Sequence, residues 1–175
     1  VYAMSSLFTA AVVWGILKWD VIEDESKANR WIILLAYIMG LSIGVHLLNL
    51  LTLPALGLIF YFKKYKPTTW GVIATLLVSG FFVLFVNDII VPGLPTLAGE
   101  FELFFVNTIG LPFGSGVIVF CVLFVIGIFL GIRFTQQRNM VIWNTLLLSF
   151  TFIIIGYLSY ATIVIRSNFD PPINE

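Results

Sequence analysis

Charged side chains are scarce in this chain. They make up 10% of its 175 residues, whereas soluble domains carry about 25%, and hydrophobic residues make up 60%. Nine basic and nine acidic residues balance, so no net charge favours nucleic acid or another polyanion as a partner. The composition therefore excludes an ordinary soluble domain and predicts an integral membrane protein in contact with the lipid bilayer.

Cysteine and histidine each occur once, and no internal repeat or signal peptide is visible. The single Cys121 excludes an internal disulfide, and its apolar surroundings predict a small buried side chain. Val1 is not an initiator Met, and the sequence from Phe169 to Glu175 turns abruptly polar with two prolines. We therefore expect the chain to be an excerpt of a longer protein.

Apolar runs alternate with short polar segments along the chain. They predict membrane segments near residues 2–17, 31–45, 50–62, 69–87, 116–134 and 141–163. Residues 88–115 are richer in Gly and Pro and predict a long connection. The expected fold class is all-α, a polytopic transmembrane helical bundle of about six segments over residues 1–163.

One apolar stretch is too long for a single crossing. Trp31 to Phe62 comprises 32 residues without a charged side chain, and as one helix it would measure about 48 Å against a hydrocarbon core of roughly 30 Å. The polar sequence Gly44-Val45-His46-Leu47-Leu48-Asn49 interrupts it midway. This length predicts a hairpin of two short helices.

The positions of Lys and Arg support the hairpin, because short cytoplasmic loops collect basic residues. A single crossing divides the nine basic residues four against five between the two faces. A hairpin leaves only Arg166 on one face and gathers the other eight opposite: Lys18, Lys27, Arg30, Lys63, Lys64, Lys66, Arg133 and Arg138.

This charge distribution also predicts an orientation. With the basic face cytoplasmic, the N-terminus, the His46 turn, the 88–115 connection and the C-terminus lie outside, which in a bacterial inner membrane is the periplasm. Residues 164–175 then begin a periplasmic loop or C-terminal region. Hairpin arms of about 22 and 20 Å fall short of the ~30 Å core. Because non-helical backbone at that depth must be buried or line a wet cavity, we expect a periplasmic recess beside His46.

The long connection carries its own helical pattern. Leu97, Phe101, Phe104, Phe105 and Thr108 recur at helical spacing and predict a short helix in the membrane interface. Its flanks, Pro92-Gly93-Leu94-Pro95 and Gly110 to Gly114, predict hinges or turns. The helix either covers a membrane-level pocket or is an interfacial anchor.

His46 and Asn49 are candidate substrate-binding residues. Three residues apart, they can share one face of a helical turn and bind phosphate or sugar hydroxyls; the alternative is a hydrogen-bonded turn of a broken helix. No metal site is expected, because the carboxylates available to His46 stand at no ligand spacing from it: Asp88, Glu100, Glu102 and Asp170. Glu100 and Glu102, two apart, point in different directions on a helix and predict solvated charges rather than a catalytic pair.

Arg166 is the exception to the charge bias. Its planar fork of donors matches phosphate oxygens, so it is a candidate ligand for a lipid-linked phosphate. It could instead contact lipid headgroups or pair with Asp170. Asp88 is either a solvated helix end or a wall of the pocket, and Asn168 and Asp170 belong to the same group of secondary substrate-binding candidates.

Several short sequences resemble those of a known superfamily. Arg30-Trp31, followed by Gly40-Leu41-Ser42-Ile43-Gly44 through Asn49 and by Pro54, is similar to the short helix pair and polar turn of GT-C glycosyltransferases. These are polytopic enzymes that use polyprenyl-phosphate sugars. Val1-Tyr2-Ala3, Ser42 to Leu51 and the ending Ile165 to Glu175 resemble a bacterial membrane family of formerly unknown function, which is related to an animal protein O-mannosyltransferase.

The resemblance implies a GT-C-like fold and a glycosyltransferase activity. The implied reaction moves mannose or a related hexose from a polyprenyl-phosphate donor to a hydroxyl acceptor, on a protein or glycan, at the outer face. It requires no cofactor beyond the lipid-linked donor, and metal dependence is left open. The catalytic acidic residue is expected upstream of Val1, while His46, Asn49 and Arg166 would bind substrate. The alternatives from other classes are a transporter or flippase, which also uses broken helices, and a non-catalytic membrane subunit.

Overall fold

In the computed structural model of this protein, residues 2–162 and Arg166 are described, except for the side chain of Leu48, and no strand occurs among them. The all-α prediction is confirmed. The α-helices are α1 (Tyr2–Asp20), α2 (Glu25–Val45), α3 (Leu53–Lys64), α4 (Thr69–Leu84), α5 (Val91–Leu103), α6 (Ser115–Gln137) and α7 (Val141–Tyr157).

Four helical segments in the described part of the chain are long and apolar enough to cross a membrane. They are Glu25–Val45, Thr69–Thr108, Ser115–Gln137 and Val141–Tyr160. These segments fit a multi-pass membrane protein, although they are fewer than the predicted six. The two other predicted segments are α1, which carries Ser5, Thr9 and Lys18, and α3, which has only 12 residues and measures about 18 Å.

The chain divides into two compact units, residues 1–79 with 148–175 and residues 80–147. The core of the first unit lies between α1 and α2. Val12, Ile16 and Trp19 recur on one face of α1 and are almost completely buried. Ile16 and Trp19 pack with Ala28 and Leu35, which are buried on α2.

The chain reverses direction after α2, as the hairpin prediction required. His46 is extended, a 3₁₀ helix follows over Leu47–Thr52, and α3 then returns to the starting end of α2. There the Lys64 ammonium lies 3.3 Å from the Glu25 carboxylate. This contact places the loop before α2 and the lysines that end α3 at the same end of the hairpin, as the charge distribution predicted.

Lys63 fastens α3 to the end of α1. Its Nζ donates to the carbonyl oxygens of Trp19, Asp20 and Ile22 at 2.6, 2.7 and 2.9 Å. It also lies 4.3 Å from the ring centre of Trp19, which is buried and stacked on Phe60. A cation on the last carbonyls of a helix satisfies groups that have no partner within the helix and complements the helix dipole.

The first arm of the hairpin is longer than predicted. Asp24 caps α2 by accepting a hydrogen bond from the Lys27 amide at 3.0 Å, so the helix begins at Glu25 inside the polar loop. The same hydrogen bond holds the pKa of Asp24 below its ordinary value. With 21 residues α2 measures about 31 Å, enough to cross the core, and only the returning arm α3 is short.

The second half of α7 packs closely on α2. A Cβ at Gly156 would lie 2.6 Å from the Leu41 amide nitrogen and 2.6 Å from the Tyr37 carbonyl oxygen, and a Cβ at Gly40 would collide with the Ile153 carbonyl. Small residues at such positions let two helix backbones approach. The approach continues to the end of α2, where Gly44 faces Ser159 and Tyr160.

The second unit corrects the prediction for residues 88–108. The helix predicted from Leu97 to Thr108 is present, but no separate connection precedes it: helical structure runs without a break over Thr69–Thr108, with π-helical turns at Phe85–Ile90 and Phe104–Thr108. Pro92 follows a turn in which the Val91 amide bonds the Val86 carbonyl five residues back, and Pro95 lies inside α5. The widened turn tolerates the prolines that were expected to form a hinge.

The turn predicted at 110–114 is confirmed. Gly110 and Gly114 have φ of 79° and 92°, a region that favours glycine, and the chain then enters α6. α6 and α7 are joined by a short turn, across which the Asn144 amide donates to Thr135 Oγ1 at 2.9 Å. Cys121 on α6 is exposed, so its predicted burial is wrong within the described structure.

Candidate functional site

Asn49 holds the interrupted hairpin together. Its side chain is only 3% exposed, and its Oδ1 accepts hydrogen bonds from Ser5 Oγ at 3.0 Å and Thr9 Oγ1 at 2.7 Å. Its Nδ2 donates to the Ser42 carbonyl at 3.4 Å. One amide therefore connects the 3₁₀ helix to both α1 and α2, and its oxygen is fully engaged by the two hydroxyls.

Ser5 and Thr9 are residues of this site that the sequence interpretation missed. They stand four apart on α1 and so share one face of a helix that is otherwise mostly apolar. Two hydroxyls at helical spacing in such a segment indicate a shared polar partner. Their partner Asn49 lies 40 or more positions away, so only the tertiary structure identifies it.

His46 lies at the end of α2, beside the same polar group. Its backbone amide donates to the Ser42 carbonyl at 2.8 Å, and its carbonyl accepts from the Asn49 amide at 3.2 Å. The half-buried imidazole ring lies 5.9 Å from the ring of Tyr2, which is exposed at the start of α1. The structure thus brings the two primary candidates of the turn together, with Asn49 inside and His46 nearer the surface.

Arg166 is helical and exposed. Asn168 and Asp170 lie outside the described residues. The proposed pairing of Arg166 with Asp170 and its phosphate contact are therefore both left as predictions.

Asp88 belongs to the second unit. It lies in the π-helical turn, is exposed, and accepts a hydrogen bond from Asn87 Nδ2 at 2.6 Å. It borders a shallow open depression of about 370 Å³, also lined by Ile89, Pro92, Gly93, Thr96 and Leu97. Asp88 therefore stays a secondary candidate, and its neighbours belong to the second unit.

Glu102 has a different role from the solvated charge that was expected. Its carboxylate is buried and accepts the backbone amides of Gly114 and Val117, the latter at 3.0 Å. These are the unpaired donors at the start of α6, so Glu102 caps that helix from α5. Glu100 is exposed on the same helix, and the two carboxylates do not form a pair that could perform acid and base catalysis.

The described residues contain no group of three or more His, Cys, Asp or Glu side chains that could hold a metal ion. The residues Ser5, Thr9, His46 and Asn49 lie together at one end of the first unit, its polar end. They carry hydroxyl, amide and imidazole groups. Such groups suit hydrogen bonding to a sugar or to a phosphate oxygen.

Residues 1–69 match the family model described as "Protein O-mannosyl-transferase TMEM260 N-terminal domain". The matched range includes α1, α2, the 3₁₀ helix and α3, and it ends at the first residue of α4. The similarity thus covers all three segments that Asn49 joins. Neither the curated proteins nor the solved structures gave a match to the chain.

Proposed function

We propose that this chain forms part of a GT-C type membrane glycosyltransferase of a bacterial inner membrane. It moves mannose or a related hexose from a polyprenyl-phosphate donor to a hydroxyl acceptor on the periplasmic side. The observation that carries the proposal is that the match to a protein O-mannosyltransferase domain covers the segments that build the polar end of the first unit.

The chemistry of that end suits a lipid-linked sugar phosphate. In the reaction the acceptor oxygen attacks the anomeric carbon, the bond from that carbon to the phosphate oxygen breaks, and the polyprenyl phosphate leaves with the electron pair. The acceptor proton passes to the carboxylate of an Asp or Glu that acts as general base. We assign this role to none of the described carboxylates. Groups that stabilise the leaving phosphate lower the barrier.

We assign the leaving phosphate to His46 and Arg166. An Arg presents a rigid fork of donors to phosphate oxygens, and His46 lies at a turn that Asn49 fixes from inside. α3 begins at this end of the hairpin, so the positive end of its dipole also favours an anion there. Asn49 has the role of a positioning residue, because its oxygen already accepts two hydrogen bonds.

The test is transfer of labelled mannose from polyprenyl-phosphate mannose to an acceptor protein by the full-length protein in liposomes. His46→Ala and Arg166→Ala should each lower the initial rate at least about tenfold, because each removes a hydrogen bond to a charged group. Arg138→Ala is the matched control. Arg138 is exposed at the end of α6 beside Phe134 and should not affect the rate.

Two results would contradict these assignments. Wild-type turnover by both variants, with normal membrane insertion, would remove His46 and Arg166 from the site. Movement of the labelled lipid across the bilayer by the wild-type protein, without sugar transfer, would favour a transporter instead.

A further inference from the structure

Two stacked tyrosines stand beside the turn that carries His46. The rings of Tyr157 and Tyr160 are 6.0 Å apart between centres and nearly parallel, with an interplanar angle of 4°. Tyr160 is 45% exposed, so part of its side chain is open to a ligand beside the parallel ring of Tyr157. Neither residue was given a function by its position in the sequence.

The close packing of α7 on α2 brings Tyr160 to the end of α2. Glycines 40 and 156 let the two backbones meet, and at the end of the contact a Cβ on Gly44 would lie 3.8 Å from Tyr160 Cβ and 3.1 Å from Ser159 Oγ. Gly44 precedes His46 by only two residues, a distance of at most about 7 Å along the chain. Tyr160 therefore lies at the same end of α2 as His46.

The surroundings of this turn combine an aromatic face with polar groups. Tyr160 lies at Gly44, the imidazole of His46 follows, and Tyr2 lies 5.9 Å from that imidazole between ring centres. A hexose has the complementary structure, because one face presents C–H groups and the edges present hydroxyls. Aromatic faces carry partial negative charge and attract such C–H groups, while imidazole and hydroxyl groups bind the edges.

Tyrosines also gather at membrane interfaces, where they need no ligand. Tyr65 is a suitable comparison within this chain. It is 62% exposed, stacks on Tyr61 at 5.8 Å, and lies at the end of the hairpin that carries the lysines. Tyr160 differs from it in standing at the His46 turn.

We infer that Tyr160, supported by Tyr157, is the stacking platform for the hexose of the lipid-linked donor. The inference rests on the proposed function for the donor class and adds the position of the sugar within the site. The phosphate then lies on the His46 and Arg166 side, and the sugar ring lies against Tyr160.

Two probes separate the sugar from the rest of the donor. Farnesyl-phosphate mannose carries the hexose, whereas farnesyl phosphate has a free phosphate oxygen in its place, so the variant is compared with the wild type for each lipid separately. Binding to the full-length protein in nanodiscs gives a dissociation constant for each lipid. Tyr160→Leu should raise the constant for the mannosylated lipid by roughly three- to tenfold and change that for farnesyl phosphate less than about twofold. Tyr160→Phe, which keeps the ring, should retain wild-type binding of both, and Tyr65→Leu should do the same.

Equal weakening of both lipids by Tyr160→Leu, or no change in either, would overturn the inference. So would loss of mannosylated-lipid binding in Tyr160→Phe, because a ring face would then not be what binds the sugar. The transfer assay on the wild-type protein is a separate result: selective sugar binding without transfer would contradict the proposed enzyme activity and leave the platform in place.

Discussion

The buried side-chain amide of Asn49 connects the turn of the hairpin to α1 and α2. Its oxygen accepts the hydroxyls of Ser5 and Thr9, and its nitrogen reaches the Ser42 carbonyl. Buried polar groups in an apolar protein persist when they are paired, and removing one partner leaves the others unsatisfied. The polar turn that the sequence revealed is therefore a connection between three segments.

Replacing this amide should destabilise the protein. Asn49→Ala is expected to lower the free energy of unfolding by about 1–2 kcal/mol, because the partly buried hydroxyls of Ser5 and Thr9 lose their acceptor. Asn87→Ala is the matched control, since the Asn87 side chain is exposed and its amide donates to the adjacent Asp88 rather than to another helix. Thermal unfolding of the full-length variants in detergent compares them, and equal midpoints for both would show that Asn49 does not join the segments.

The polar character of the His46 turn could be predicted from the sequence, but its partners could not. Polar residues within a long uncharged run are visible by inspection, and the three-residue spacing of His46 and Asn49 lets them share one face of a helical turn. The contacts of Asn49 with α1 and of Gly44 with Tyr160 span 40 or more positions. Such contacts depend on how helices pack, which local spacing does not determine.

The backbones of α2 and α7 approach closely at glycines, and the rings of Tyr37 and Phe152 meet edge to face beside them, 6.3 Å apart between centres. Gly156 faces the α2 backbone at Tyr37 and Leu41, and Gly40 faces Ile153. Because the neighbours are backbone atoms, a methyl group can be accommodated only if the helices separate. This contact also positions Tyr160 beside Gly44.

Gly156→Ala should therefore destabilise the packing of α7 on α2, by about 1–3 kcal/mol. Gly127→Ala on α6 is the control, because no atom lies within 4 Å of a Cβ placed there. It should be neutral or slightly stabilising, since Ala favours a helix over Gly by about 1 kcal/mol. Thermal unfolding in detergent measures both, and an unchanged midpoint for Gly156→Ala would contradict the close approach.

The segment 69–108 shows where local rules failed. Pro92 and Pro95 were expected to break the helix, because proline lacks a backbone donor. The π-helical turn at Phe85–Ile90 changes the hydrogen-bonding pattern before Pro92, and the helix continues. A straight helix of its 40 residues would measure about 60 Å, twice the thickness of the ~30 Å hydrocarbon core. Such a helix cannot lie wholly within the core.

The contacts within the hairpin agree with the distribution of basic residues along the sequence. Lys63 and Lys64 lie at the end of the hairpin where α1 ends and α2 begins, while His46 and Asn49 lie at the opposite end. The hairpin could be predicted because its basic residues separate so unequally between the two faces. The helix bounds could not, since the capping residue Asp24 extends α2 into the polar loop.

Cysteine labelling tests the predicted sides of the membrane. In a Cys121→Ala background, Leu47→Cys should react with an impermeant maleimide from the periplasm, and Tyr65→Cys should react only after the membrane is permeabilised. Both positions are exposed in the structure, so access depends on the side of the membrane. Reaction of Tyr65→Cys in intact spheroplasts, with Leu47→Cys protected, would reverse the orientation.

The proposed function predicts that the sugar donor binds at the His46 end of the hairpin and that this end faces outward. The most direct measurement is sugar transfer in sealed membrane vesicles with the periplasmic face outward, using polyprenyl-phosphate mannose and a membrane-impermeant acceptor protein. We predict that the full-length protein mannosylates the acceptor without permeabilisation and that His46→Ala lowers this rate at least about tenfold. No transfer by the wild-type protein, or transfer only after the vesicles are opened, would contradict the account.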